Sequence, residues 1–306
     1  MEVLTRGRFD AAVARAVTAY TGERFTVTNI RKNTESAMHE AAFYEGTLGL
    51  LQTPFCVFVK AGTNPFSEEQ FRAEARGLDY IRVHSPVRSP RVIGVLYEQE
   101  TALLILEVID AKKPTSKEDW ARMGQGLAAL HGVTSDTCGF DFSTYLGIFR
   151  QDNSRRQTWR AFYGECRLRD TMKIGLSWGK LTEKDCDLIE RLIARLPEVC
   201  PEPKTFSLLH GDPWVGNLLY DGRELVLIDC SLYYGNREID LTTVDFFCPV
   251  PDYFFDAYRE VLPIEDGFEE RADLWEINQW IGHVILYGDR YRPKLARAAA
   301  KYLGDV

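Results

Sequence analysis

Between residues 206 and 229 the chain sets His210, Asp212, Asn217 and Asp229 at fixed spacing between apolar runs. Phe206-Ser207-Leu208-Leu209 leads into His210-Gly211-Asp212, Asn217 follows after four intervening residues, and Leu225-Val226-Leu227-Ile228 ends at Asp229. Asp221-Gly222, between Leu218–Tyr220 and Leu225–Ile228, is a strong signal for a tight hairpin. The segment must therefore fold as an apolar strand, a polar loop and a two-stranded ribbon. D-x-x-x-x-N is the spacing of a phosphoryl-transfer loop. It would place Asp212 to orient an acceptor hydroxyl and take its proton. Asn217 and Asp229 offer the oxygen ligands that a hard cation such as Mg²⁺ prefers. For either acid alone, the competing reading is a turn-rich loop with ordinary Asp and Asn caps. His210 is expected to position the loop, and His131 to be a hydrogen-bonded core residue. Asp240 is expected either to anchor the loop or to be a helix N-terminal acid.

A second pair of charges points the same way from the other end of the chain. Phe55–Lys60 alternates as a strand, so Lys60 shares a face with Cys56 and Phe58. Ser67-Glu68-Glu69-Gln70 has the form of a capping box and predicts a helix start. In that helix Phe71, Glu74, Ala75 and Leu78 fall on one stripe, which leaves a carboxylate among apolar groups. Burying either charge alone is costly, so the two are expected to pair. A strand Lys held by a helix Glu is the arrangement that reaches ATP phosphates in kinases. Two solvated surface charges are the alternative.

Around these sites the texture divides in two. Phe25–Ile30, Phe55–Lys60, Val92–Val95 and Ala102–Val108 read as strands around one helix. From Ser116 the pattern is helical: Trp120, Met123, Leu127 and Leu130 share a face, Thr182 opens a second helix, and Glu269–Leu303 is a helical tail. The interval 136–180 has weak periodicity and reads as an irregular insertion with a short helix or two. The expected fold is α+β and two-lobed. Residues 1–107 form a small β-rich ATP-binding lobe with one helix, and 108–306 a larger, mainly helical catalytic and substrate-binding lobe. Lys plus Arg number 37 against 45 Asp plus Glu, a balance that argues against nucleic-acid or anionic-membrane partners. Seven Cys without CxxC spacing, no apolar leader and no membrane-length apolar run point to a reduced, cytoplasmic protein. Oligomeric state is left open.

At these residues the sequence resembles the fructosamine (ketosamine) kinases, relatives of the aminoglycoside and choline kinases. LLHGDPWVGNLLYDGRELVLIDCSLYYGNREIDLT is similar to that family's HGDLWxGN and IDPAxYYGHREADLA block. CGFDFSTYLGIFRQDNSRRQTWRAFYGECRL, FRAEARGLDYIR, RVIGV, GLAALHGVT and the tail PIEDGFEERADLWEINQWIGHVILYG resemble further family stretches, so the likeness runs from about residue 25 to 303. The resemblance implies a protein-kinase-like fold and ATP-dependent, Mg²⁺-assisted phosphorylation of a ketosamine hydroxyl, mainly O3. The acceptor would be a fructosamine or ribulosamine, free or on a glycated lysine, and the labile product would release the amine. By position it implies Lys60 and Glu74 at ATP, Glu107, Val108 and Ile109 as the adenine hinge, and Asp212 as base and substrate contact. It further implies Asn217 and Asp229 as metal ligands and Trp214 against the sugar.

The sequence departs from the family at three places. The loop expected to cover the phosphates, Lys32-Asn33-Thr34-Glu35-Ser36-Ala37, has no Gly, so Asn33, Thr34 and Ser36 would supply side-chain donors in place of close backbone approach. Asp229-Cys230-Ser231 replaces Asp-Pro-Ala, and Asn236 replaces a His, with an expected change in substrate contacts. Two other readings stay open: a kinase for another hydroxyl acceptor, aminoglycoside- or choline-like, and a non-catalytic nucleotide-binding protein.

Overall fold

The computed structural model describes residues 3–34 and 38–304. Five strands, β1 (Phe25–Asn33), β2 (Glu40–Leu48), β3 (Thr53–Gly62), β4 (Val92–Glu98) and β5 (Thr101–Glu107), form an antiparallel sheet in the order β1-β2-β3-β5-β4. Both faces of its centre are covered. Val57, Val59 and Ala61 of β3, with Leu103 and Ile105 of β5, join Leu4, Phe9, Val13 and Val17 in one apolar cluster. Leu104 and Leu106 turn the other way, toward Phe71, Ala75 and Leu78 in the main core. The first cluster is built by α1 (Asp10–Thr21), a helix beyond the one expected in this lobe. The second is built by α2 (Ser67–His84). Coverage on two sides explains why β5 reads as an uninterrupted apolar run. Each such side chain contributes roughly 1.5–3 kcal/mol when fully buried.

α2 begins at Ser67 as the sequence predicts, but for another reason. Its N-cap is Phe66 and makes no side-chain cap. Gln70, the expected partner in a capping box, instead donates from Nε2 to the Gly147 carbonyl at 3.0 Å, across to the helical lobe. True capping boxes open α3 (Lys117–His131), from Ser116 and Asp119, and α6 (Glu183–Val199), from Thr182 and Asp185.

The second lobe is mainly helical around small strands. β6 (Thr134–Ser135) precedes a hairpin of β7 (Thr144–Leu146) and β8 (Phe149–Gln151). The interval read as irregular is more regular than its sequence suggests. α4 (Trp159–Tyr163) runs through a π-helical turn at Gly164–Arg169 into α5 (Asp170–Ser177). The wide turn offsets the helical period, which hides the helix from a period-3.6 reading. It also lets Arg167 bury its guanidinium over Tyr233, 4.0 Å from the ring centroid, and donate to Asn153 Oδ1 at 2.7 Å. β9 (Phe206–Leu209) pairs with β6 and with β12 (Tyr233–Gly235), while β10 (Leu218–Tyr220) and β11 (Leu225–Leu227) form the expected hairpin. α7 (Glu238–Phe246), α8 (Asp252–Val261), α9 (Phe268–Tyr287) and α10 (Arg292–Leu303) complete the lobe. The helical tail is thus two helices, broken at Gly288 with φ 81°.

The lobes are fastened at both ends of α2. Near its start, Gln70 reaches Gly147, and Phe66 stacks on Tyr145 at 6.2 Å. Beyond its end, Arg88 donates to Glu107 at the end of β5 (2.9 Å) and to Asp221 of the β10–β11 turn (2.7 Å). Leu227 N–H also donates to the Arg88 carbonyl at 2.9 Å.

Candidate active site

The Asp212 loop is set by a buried hydrogen-bond network before any ligand is considered. β9 delivers His210, and Gly211 then turns at φ 85°, where a Cβ would lie 2.1 Å from the Ser231 carbonyl oxygen. Only Gly fits there. The Asp240 carboxylate, at the start of α7, accepts from the backbone N–H of His210 (2.6 Å) and of Gly211 (3.1 Å). His131 Nε2 lies 3.1 Å from the same carboxylate, and His131 Nδ1 lies 2.8 Å from the Tyr258 hydroxyl. His210 Nε2 donates to the Ile228 carbonyl at 2.9 Å and its Nδ1 accepts from Asp212 N–H at 3.2 Å, which fixes one neutral tautomer. Burial holds the His210 pKa below its ordinary value.

Asp212 stands at the end of this network. Its pKa is pushed up to about 7, first by burial and then by the Asp240 charge, against the opposing hydrogen bond from Asn217. Asn217 Nδ2 donates to the Asp212 carbonyl (2.9 Å) and to its Oδ2 (3.2 Å). The hairpin carries the chain on to Asp229, which sits at φ 55°, a left-handed conformation that Asp tolerates better than most residues.

The nucleotide side is built from longer reaches. Lys60, on β3, donates to Glu74 Oε1 of α2 at 2.8 Å and also contacts the Asp229 carboxylate. The Lys60 and Glu74 side chains are 9% and 10% exposed, whereas Asp229 is 40% exposed. The two charges read as misplaced on apolar faces thus meet each other. Gly77, one turn along α2 from Glu74, faces the residue after Asp229: a Cβ there would lie 2.7 Å from Cys230 Sγ. Asn33 ends the β1–β2 ladder opposite Ala41, and Ala41 in turn pairs with Lys60. Thr34 follows it. Ser36 lies outside the described residues. At the lobe junction, Glu107 gives both carboxylate oxygens to Arg88 and to Arg91 N–H (3.1 Å), so its side chain is committed away from a nucleotide. Val108 and Ile109 are half-buried, and the Ile109 carbonyl accepts from Ala111 N–H at 2.9 Å.

The donors around Asp229 fit Mg²⁺. They are hard oxygens, and the Asp229 carboxylate already faces a cation, the Lys60 ammonium. Among the described residues no group of three or more His, Cys, Asp or Glu forms a preformed metal cage. That suits an ion which takes one or two protein ligands and completes its shell with phosphate oxygens and water.

On the acceptor side, Trp214 folds over Gly216, where a Cβ would lie 2.2 Å from the indole. Its ring meets Phe247 edge-on at 5.8 Å. Phe247 is a neighbour that spacing did not single out; the sequence signal was the pair Phe246-Phe247 at the end of α7. Asn236 is buried, and its Oδ1 accepts from Glu238 N–H at 3.0 Å, opening α7. Ser231 donates to Gln151 at 2.7 Å, a local use for the residue that departs from the family block.

The family model described as fructosamine kinase matches residues 9–305. A chloroplastic protein-ribulosamine 3-kinase of Arabidopsis thaliana is 31% identical over 80% of this chain and 76% of its own length. The crystal structure of a candidate fructosamine-3-kinase from Thermobifida fusca is 32% identical, with a TM-score of 0.79 over 96% of this chain and 99% of that one. A second, from Haemophilus somnus, has a TM-score of 0.81 over 95% and 96% at 24% identity, and supports the fold alone.

Proposed function

The chain belongs to the fructosamine kinase family and is an ATP-dependent kinase acting on a hydroxyl group; from that premise we propose that it phosphorylates a ketosamine, a fructosamine or ribulosamine, at the sugar O3. The observation that carries the reading is the meeting of Lys60, Glu74 and Asp229, joined through the Ile228 N–H to Asn217 carbonyl hydrogen bond (3.2 Å) to the loop in which Asn217 holds Asp212. Residues 1–107 act as the ATP-binding lobe and 108–306 as the catalytic and substrate-binding lobe.

Each residue has a role in this reading. Lys60, oriented by Glu74, reaches the ATP phosphates. Asn33, Thr34 and Ser36 donate to them from the loop, and the backbone of Glu107, Val108 and Ile109 meets adenine. Asn217 and Asp229 hold Mg²⁺. Bound there, Mg²⁺ would neutralise phosphate charge as the bridge to the leaving ADP breaks. Trp214 lays an apolar face against the sugar. Asp212 accepts the proton of the attacking hydroxyl as its oxygen bonds to the γ-phosphorus. A carboxyl near neutrality is matched to that exchange. The product, a ketosamine 3-phosphate, would decompose and free the amine, so the reaction serves deglycation. Cytoplasmic residence is part of the reading; the cysteines are free thiols, and no helix among the described residues is long and apolar enough to cross a membrane.

The test is ADP release with ATP, Mg²⁺ and a ribulosamine or fructosamine of lysine, followed by assignment of the phosphorylated carbon by NMR. Stimulated release with phosphate on O3 is expected. Absence of stimulation by both sugars would overturn the acceptor class.

A further inference from the structure

Trp214 is one end of a chain of rings. From Phe247 the chain continues to His283 at 5.6 Å, and from His283 to Tyr287 at 5.5 Å and Tyr291 at 5.1 Å. Phe247 and Tyr287 are 50% and 52% exposed, in a chain whose other large aromatic side chains are mostly buried. The rings therefore form an open apolar wall that starts at the sugar contact and runs outward along α9. Its far end is basic. The Arg290 guanidinium lies 4.9 Å from the Tyr291 ring centroid and 5.7 Å from that of Tyr287, and the Lys294 ammonium lies 4.6 Å from that of Trp280. Neither cation forms an ion pair among the described residues. The acid beside Lys294 is Glu276, which accepts from Trp280 Nε1 at 3.1 Å; burial pushes its carboxyl up, and the Lys294 charge pulls it down by less.

We propose that this wall is an amine-side subsite, and that it selects ketosamines whose nitrogen carries an aromatic or bulky apolar group ending in a carboxylate, as in the adduct of a free aromatic amino acid. The inference rests on the acceptor reading above and adds the identity of the amine. A sugar held at Trp214 with its hydroxyl at Asp212 has its C1 nitrogen as the one point of extension. The rings offer that extension apolar and edge-to-face contact. Arg290 and Lys294 give a terminal carboxylate charge-assisted partners. The same two cations oppose a second positive charge, so a glycated lysine within a basic peptide is disfavoured.

The experiment compares kcat/KM for fructose and ribulose adducts of four amines: phenylalanine, phenethylamine (ring without carboxylate), glycine (carboxylate without ring) and the lysine of an end-blocked basic peptide. The phenylalanine adduct is expected to exceed the phenethylamine and glycine adducts by about five- to tenfold each, and the peptide adduct by more. In Arg290→Glu the phenylalanine-to-phenethylamine ratio should fall about tenfold. In Tyr287→Ala the phenylalanine-to-glycine ratio should fall about fivefold. Ratios taken within one variant are independent of how much of it folds. Equal kcat/KM for all four adducts, preference for the peptide, or unchanged ratios in both variants would overturn the subsite while leaving the ketosamine reading intact. Failure to phosphorylate any adduct would overturn that reading, and the subsite with it.

Discussion

The two sides of the cleft are held by different kinds of structure. On the acceptor side, Asp212 hangs from backbone amides and buried imidazoles that converge on one carboxylate, Asp240. Every link is short, buried and attached to a strand or helix end. On the nucleotide side, Lys60 reaches Asp229 from a different lobe, and only Glu74 and the seating of α2 orient it. The first arrangement is preorganised. In the proposed reading the second would have to open, because Lys60 occupies the carboxylate that a cation and a phosphate would share. On that reading catalytic geometry would be stored in the loop, while nucleotide affinity would depend on moving one ammonium.

Substitutions can break or sharpen that contrast. The largest effect is expected from Asp240→Ala, which strands the His210 and Gly211 amides and His131 in the core. Stability should fall by about 3–5 kcal/mol, and the melting temperature by roughly 5–10 °C. A variant that melts with the parent would show that the loop holds itself. Glu74→Gln comes next. It removes one charge-assisted hydrogen bond from Lys60, so kcat/KM for ATP should fall about 10- to 100-fold while the fold persists. Loss of stability without loss of ATP affinity would instead make the pair structural. The smallest effect is expected from Gly77→Ala. Its methyl meets Cys230 Sγ and should push α2 outward, at a cost of about 1–3 kcal/mol, raising KM for ATP severalfold. Adding Cys230→Ala should restore much of the loss. A double variant no better than Gly77→Ala alone would separate helix seating from nucleotide binding.

Much of this contrast was legible in the sequence. Lys60 and Glu74 announced themselves as charges on apolar faces, and the structure joins them at 2.8 Å. The 206–229 spacing placed Asp212 in the loop after an apolar strand and Asp229 at the end of the hairpin, and they lie three residues past β9 and two past β11. What stayed hidden depended on distant partners. Gln70 matched a local capping rule but is used 77 residues away, at Gly147. The buried residues of α1 are two Val and an Ala, too few to mark a stripe against its exposed Tyr20. β2 alternates in burial from Ala42 to Leu48, but Gly46 sits on the buried face and Phe43 on the other, so its hydropathy does not show the alternation that marks a strand. Asn236 stood out as a departure from the family block, and the structure uses its side chain to open α7. The aromatic wall beyond Trp214 joins residues 214, 247 and 283–291, which only the packing of α7 and α9 brings into line.

The most direct test of the central claim is the single-turnover rate of phosphoryl transfer to a ketosamine by Asp212→Asn at saturating ATP. If the preorganised carboxylate is the base, the rate should fall by about 10²- to 10⁴-fold with nucleotide affinity unchanged. A rate within a few-fold of the parent, or a fall explained entirely by weaker ATP binding, would contradict the assignment.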